Sequence, residues 1–238
     1  VKSYIDGDVR NEDANYDEFF WKELGSMQTE KNSVLSMETR KTGFVVTTGQ
    51  SVILRLNDTQ IIPKKFQTEN HQVGSKFGFN LSNGQSFRLE KYISLISTLM
   101  HPKEEHLTKT VNNLDNAVLH GFSKLKKAHV KTWKEKWDWS DVVIEGDDAA
   151  QQGIRFNIFH LNQTYTGEDE RLNIGPKGFT GEKYGGSTYW DTEAYCLPYY
   201  LSTADSHVGK NLVKYRYNHL QKAIENAKKL GFKDGAAL

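Results

Sequence analysis

The period of apolar and polar positions changes along this chain, and each change predicts a different kind of element. From Gly43 the pattern has period two. Gly43-Phe-Val-Val-Thr-Thr48 is β-branched and aromatic, and Ser51-Val-Ile-Leu-Arg-Leu56 places Val52, Leu54 and Leu56 on one face. Thr48-Gly49-Gln50 between them carries a turn signal, so the pattern predicts a hairpin. A second hairpin is predicted from Phe77–Leu81 and Ser86–Ser94, which flank Asn83-Gly84, the pair favoured in a type I′ turn. Residues 40–100 are thus expected to be mostly antiparallel sheet. The preceding forty mix Asp6, Asp8, Glu12, Asp13, Asp17 and Glu18 with Tyr16, Phe19, Phe20 and Trp21. They read as loop or edge structure, with a helical turn near Tyr16–Leu24.

At Pro102 the period lengthens. Leu107, Val111, Leu114, Val118, Phe122 and Leu125 recur at three and four residues, as on one face of a helix. Pro102 near its start and Glu104 and Glu105 in its first turn suit an N-terminus. The stretch from Lys124 to Lys136 is basic, and Trp133, Trp137 and Trp139 crowd its end. A second helix is predicted from Asp147–Asp148, with Ala150, Ile154, Ile158, Leu161 and Tyr165 on one face. Phe156 and Phe159 lie elsewhere on it, and a helix apolar on most sides is expected to be buried. A glycine-rich loop follows from Asn173 to Thr188. A third helix is predicted from Asp191–Thr192 and a fourth from Gly209 to Leu230, with Gly231 as its C′ residue. Strands followed by helices imply an α+β arrangement or two domains, with a boundary between 100 and 145.

Composition narrows the function classes. The chain has 238 residues, 37% hydrophobic and 26% charged, which excludes a mostly disordered polymer. Its 31 Lys plus Arg balance 30 Asp plus Glu, so nonspecific nucleic-acid binding is not favoured. No apolar run approaches the roughly 20 residues a membrane-spanning helix needs. The single cysteine, Cys196, excludes an internal disulfide framework and fits a reducing compartment, so a cytoplasmic location is expected. The chain starts at Val1 and stops just after a predicted helix end, and it reads as a segment of a longer polypeptide. Aromatic residues make up 12% of it; these fill cores but also line sugar sites.

Candidate chemistry concentrates near the glycine loop. The loop lacks the G-x-x-x-x-G-K-[ST] pattern and the G-x-G-x-x-G spacing after a strand, so a nucleotide site is a weak reading. Tyr189-Trp-Asp-Thr-Glu193 is more informative. An indole stacks on the apolar disc of a sugar, and a neighbouring carboxylate accepts from two adjacent hydroxyls. The competing structural reading makes Asp191 or Thr192 a helix cap and Trp190 a core anchor. Glu168, Asp169 and Glu170 read as a solvated charge run, and Glu182 as a further carboxylate in the loop. His101 and His106 are too few for a metal motif, Cys196 reads as packing, and no G-x-S-x-G elbow occurs.

Three stretches together resemble glycoside hydrolase family 65: Gly153–Leu161, Gly175–Gly186 and Tyr189–Ala194. Within it, Asn162–Asp169 and Leu172–Gly178 look most like the maltose phosphorylases. The resemblance implies a multidomain β + α architecture. Residues 1–100 would be the late part of an N-terminal β-sandwich, 101–144 a helical linker, and 145–238 the first helices of an (α/α)6 barrel. The implied reaction is inverting phosphorolysis of an α-glucoside such as maltose, giving β-glucose 1-phosphate and glucose. Trehalose, trehalose phosphate, nigerose or kojibiose are alternative substrates; a family hydrolase and a non-catalytic carbohydrate-binding module are alternative functions. The resemblance assigns Trp190 and Asp191 to substrate binding. Glu193 belongs to the same motif, and its position about 200° round a helix from Asp191 leaves open a supporting role. No catalytic residue is expected in this chain: the family's proton donor and phosphate loop lie in downstream segments with no counterpart here. The segment is therefore expected to be inactive alone and to leave apolar helix faces uncovered. No metal or cofactor is implied beyond inorganic phosphate as co-substrate, and the parent protein is expected to be a homodimer.

Overall fold

The computed structural model describes residues 1–9, 19–68, 70–175, 178 and 187–237. The chain divides after Ala128 into two units. The first is built of antiparallel strands: β1 (Lys2–Asp6), β2 (Trp21–Gln28), β3 (Asn32–Thr39), β4 (Val45–Leu56), β5 (Thr59–Ile61), β6 (Lys64–Gln67), β7 (Gln72–Lys76) and β8 (Phe87–Ser97). They form a three-stranded sheet in the order β1-β7-β6 and a five-stranded sheet, β2-β3-β4-β5, in which β8 also pairs with β4. Leu35, Met37 and Val73 join the two sheets in one apolar cluster with Ile5 and Trp21. Sandwich-like sheets are therefore followed by helices. The sheet begins well before residue 40: of the expected helical turn, Trp21–Leu24 lies in β2, Phe19 and Phe20 are not helical, and residues 16–18 lie outside the described residues.

Neither predicted hairpin forms as read. β4 runs unbroken through Thr48-Gly49-Gln50, and its partner β8 pairs with it from Val46↔Ser97 to Leu56↔Phe87. Gly49 signals a close approach, not a turn. A Cβ there would lie 2.4 Å from Thr110 Cγ2 and 2.9 Å from Leu114 Cδ1. The turn comes instead at Asn57-Asp58, whose φ values of 47° and 67° suit a two-residue I′ connection into β5. The Asn83-Gly84 turn exists, with Gln85 N donating to Ser82 O at 3.1 Å. Phe77–Leu81, however, is not a strand. Phe77 and Phe79 turn their rings into the cluster of Val52, Leu54, Ile61 and Leu89, while β4 takes the β8 backbone.

β4 is covered on both faces. On one, Gln50 Nε2 donates to Ser3 O at 3.0 Å and Ser3 Oγ to Gln50 Oε1 at 3.2 Å, so this buried amide is satisfied against β1. On the other lies the start of α1 (His106–Ser140). His106, Thr110 and Leu114 are 2%, 0% and 0% exposed, whereas Leu107, Phe122 and Leu125 of the predicted face are 44%, 62% and 38% exposed. The buried face is rotated because the sheet beneath presents Thr47 and Gly49, a small and polar surface. There His106 Nε2 donates to His101 O at 3.0 Å, which leaves Nδ1 to accept from Thr47 Oγ1 at 3.1 Å. The helix breaks at Gly121, whose φ of 73° and ψ of 158° no continuous helix allows.

The second unit holds α2 (Asp148–Thr164), α3 (Leu197–Thr203), α4 (Ser206–Asn218) and α5 (Leu220–Lys229). α2 begins where predicted, and Asp147 caps it, its Oδ1 accepting from Ala150 N at 2.9 Å. Only Ile158 of α2 is buried, and Phe156 is 62% exposed, so this helix is not enclosed on most sides here. The predicted fourth helix is two, parted at His219, where φ −101° and ψ 4° leave the helical range. Gly231 ends the second: its N–H donates to Lys228 O and that of Phe232 to Ala227 O, a Schellman pair. The core is Tyr165, Ile174, Tyr200, Val208 and Leu212. Tyr200, 1% exposed, donates its hydroxyl to Leu161 O at 2.7 Å.

Candidate functional site

The predicted third helix begins with a wide turn. Thr192–Cys196 is π-helical and leads directly into α3. Its start is pinned by Thr192, 3% exposed, whose hydroxyl donates to Ile174 O at 2.6 Å. That bond joins the end of the glycine-rich stretch to its beginning. Most of that stretch, including Glu182, lies outside the described residues.

The structural readings of Trp190 and Asp191 fail here. Trp190 is 61% exposed and is no core anchor; its ring lies 5.8 Å between centroids from that of Tyr195, 68% exposed. Asp191 occupies the N-cap position with helical φ and ψ, and its side chain makes no capping hydrogen bond. The cap role needs an extended backbone to turn the side chain back on the first turn, and Asp191 lacks it. Tyr189, Trp190 and Tyr195 thus present aromatic surface beside an exposed carboxylate.

Glu193 is placed differently. Arg216 of α4 donates through Nε to Glu193 Oε1 at 2.8 Å and through Nη2 to Oε2 at 3.0 Å. The same guanidinium donates to Thr188 Oγ1 at 2.7 Å and to the carbonyl of Tyr189. Arg216 is only 14% exposed and Glu193 30%. Trp190, Glu193, Arg216, Tyr217, Leu220 and Ala223 border a cavity of about 380 Å³, within the range of small-molecule sites. Asp191 is not in its lining. Arg216 was not legible in the sequence: it sits in a basic helix, and its partners lie 23–28 residues upstream.

The remaining candidates are structural. Glu168–Glu170 is a surface charge run in which Asp169 meets Arg171 at 2.6 Å and Glu170 meets Lys214. Hydrogen bonds from Arg171 hold the Asp169 carboxyl down at about 2. Burial pushes the Cys196 thiol up, and the charges of Asp191 and Glu193 push it further, which fits packing and not nucleophilic use. His106 is spent on Thr47 and His101. Among the described residues no group of three or more His, Cys, Asp or Glu could hold a metal ion. No described helix is long and apolar enough to cross a membrane.

Comparison with known proteins decides the family. Residues 1–136, more than half the chain, match the profile described as "Glycosyl hydrolase family 65, N-terminal domain". Residues 155–238 match "Glycosyl hydrolase family 65 central catalytic domain". The chain belongs to glycosyl hydrolase family 65. The segment Tyr189–Glu193 falls in the part matched to the family's central catalytic domain. This family 65 chain is 42% identical over 231 residues to the maltose phosphorylase of Bacillus subtilis (strain 168), covering 97% of the chain and 30% of that protein. It is 32% identical over 243 residues to the alpha,alpha-trehalose phosphorylase of Thermoanaerobacter brockii, again 97% of the chain and 30% of that protein. Among solved structures, "Putative kojibiose phosphorylase from human microbiome" aligns with a TM-score of 0.83 at 25% identity, over 97% of the chain and 29% of that structure. The chain thus spans about 30% of the length of the curated relatives it matches.

Proposed function

We propose that this family 65 chain contributes the donor-sugar contacts of an inverting disaccharide phosphorylase, with maltose as the substrate. The observation that carries the reading is the exposed indole of Trp190 directly followed by the uncapped carboxylate of Asp191, on a turn anchored by Thr192. A pyranose stacks its C–H face on the indole and directs two hydroxyls to the carboxylate. Donors and acceptors held this way before substrate arrives lower the entropic cost of orienting the anomeric carbon. In the proposed reaction a phosphate oxygen bonds to that carbon as the glycosidic C–O bond breaks. A carboxylic acid gives its proton to the leaving oxygen. An inverting hydrolase needs a second carboxylate to activate water; phosphate is already anionic and needs none. The geometry inverts, so an α-glucoside gives β-glucose 1-phosphate. We place the proton donor and the phosphate-binding groups elsewhere in the parent polypeptide, which we take to be a cytoplasmic homodimer with no metal or organic cofactor.

The choice of maltose rests on 42% identity to a maltose phosphorylase over 97% of the chain, where a trehalose phosphorylase reaches 44% over only 48% and another 32% over 97%; matches to trehalose, kojibiose and nigerose phosphorylases keep those disaccharides in the test. The experiment supplies the full-length parent enzyme with each disaccharide, with and without phosphate, and measures β-glucose 1-phosphate. Phosphate-dependent product from maltose is the expected result. Glucose release without phosphate would make it a hydrolase, and binding without turnover a carbohydrate-binding module. Trp190→Ala and Asp191→Asn should each lower kcat/KM for the disaccharide by about 100-fold, the loss expected when positioning at a reacting centre fails. Near wild-type values would refute the site.

A further inference from the structure

We infer that Arg216 is the positioning residue of the sugar-binding turn, acting through Glu193, Thr188 and Tyr189 and not by touching the sugar. This deepens the reading above and rests on it. Trp190 and Asp191 lie between the residues that Arg216 holds: Thr188 and Tyr189 on one side, Glu193 on the other. One guanidinium spans both sides. Nε and Nη2 bind the two oxygens of Glu193 at 2.8 and 3.0 Å, Nη1 binds Thr188 Oγ1 at 2.7 Å, and Nη2 also binds the Tyr189 carbonyl. A planar fork makes these bonds in fixed directions, and a lysine ammonium cannot reproduce them.

The turn itself needs such a brace. Trp190 is 61% exposed, so core packing does not set its direction. Asp191 makes no capping bond that would fix its carboxylate. Thr192 anchors the turn at one point, to Ile174 O. Arg216 adds a second point from α4, a helix seated in the core through Val208 and Leu212. Both oxygens of Glu193 are taken by this fork, which gives Glu193 the task of transmitting the position of Arg216 to the turn.

The test uses steady-state kinetics of the full-length parent enzyme, with the KM values for disaccharide and for phosphate measured separately. Arg216→Ala should raise the disaccharide KM by about 10-fold or more while leaving the phosphate KM within about twofold, because the groups that lose their position contact the sugar and not the phosphate. A residue needed for folding alone lowers the active fraction, which reduces kcat and leaves both KM values where they were. Arg216→Lys, which keeps the charge and loses the fork, should shift the same constant by about threefold or more. Thr188→Val, which removes one arm, should shift it in the same direction by less. These two variants keep the test valid should Arg216→Ala fold poorly. A disaccharide KM within twofold of wild type in Arg216→Ala, or in Arg216→Lys where the alanine variant does not fold, overturns the inference. Trp190→Ala in the same assay separates the two failures. An impaired Trp190→Ala beside a normal Arg216→Ala sinks only the positioning role, whereas a normal Trp190→Ala sinks the sugar site as well.

Discussion

Replacing Gly49 by alanine tests the packing of α1 on the sheet with one methyl group. The added Cβ would sit 2.4 Å from Thr110 Cγ2, 2.9 Å from Leu114 Cδ1 and 3.5 Å from Val34 Cγ2. Carbon atoms attract optimally at about 3.5–4.0 Å, so the Thr110 contact is short by more than 1 Å and the Leu114 contact by more than half that. Gly49 itself has no positive φ, so the backbone accepts alanine and the whole penalty comes from space. Thr110 and Leu114 are both 0% exposed, and a β-branched threonine has few rotamers to retreat to. Overpacking of this kind costs about 1–3 kcal/mol. Loss of glycine's freedom in the unfolded chain returns about 0.4–1 kcal/mol. The net expectation is a destabilisation of about 1–2 kcal/mol, or roughly 5- to 30-fold in the opening equilibrium. Hydrogen–deuterium exchange of peptides covering β4 and the first turns of α1 reads it locally. Thr110→Ala should relieve most of the effect, since it removes Cγ2 together with a buried hydroxyl oxygen that has no hydrogen-bond partner. A double-mutant cycle should therefore show a coupling of about 1 kcal/mol. Wild-type protection in Gly49→Ala, or no coupling to Thr110, would refute the close-approach explanation.

Other expectations follow from single contacts. Tyr200→Phe removes the shorter of two hydrogen bonds to the Leu161 carbonyl, which keeps the Tyr165 N–H at 3.3 Å, and should cost about 0.5–1.5 kcal/mol by denaturant unfolding; a neutral change would mean the hydroxyl is not needed. Cys196 should react with a thiol reagent at pH 8 at least about 10-fold more slowly than free cysteine, because burial and nearby carboxylates disfavour its thiolate. Labelling as fast as free cysteine would contradict that environment. Asp169 should titrate near 2 in the folded protein, against about 3.9 unfolded. Its folded value is depressed, so its contribution to stability is present above about pH 4 and fades as pH falls towards 2. A carboxyl resonance of Asp169 with a midpoint near 4 would remove the Arg171 pairing as the cause.

How far the sequence could be read depended on the range of the interaction. The start of α2 at Asp147–Asp148 and Gly231 as a helix end were legible because the interactions that fix them lie within four residues. Trp190, Asp191 and Glu193 stand out as candidates because they are contiguous in sequence, whereas the pairing of Glu193 with Arg216 is not. Gly49 was misread because a glycine between β-branched stretches looks the same whether the chain turns or a helix presses on it. The buried face of α1 was legible only in part: Leu114 of the apolar face is buried, but in the first turns His106 and Thr110 face Thr47 and Gly49 in place of Leu107.

Local pattern alone therefore determined that strands precede helices and where α2 and the turn at Thr192 begin. Those features follow from backbone periodicity and short-range hydrogen bonds, which neighbouring residues dictate. Only the tertiary structure decided that β8 pairs with β4, that Trp190 stays exposed, and that Arg216 holds Glu193. Those choices depend on which surfaces meet across many residues, and the spacing of side chains along a chain carries no record of that.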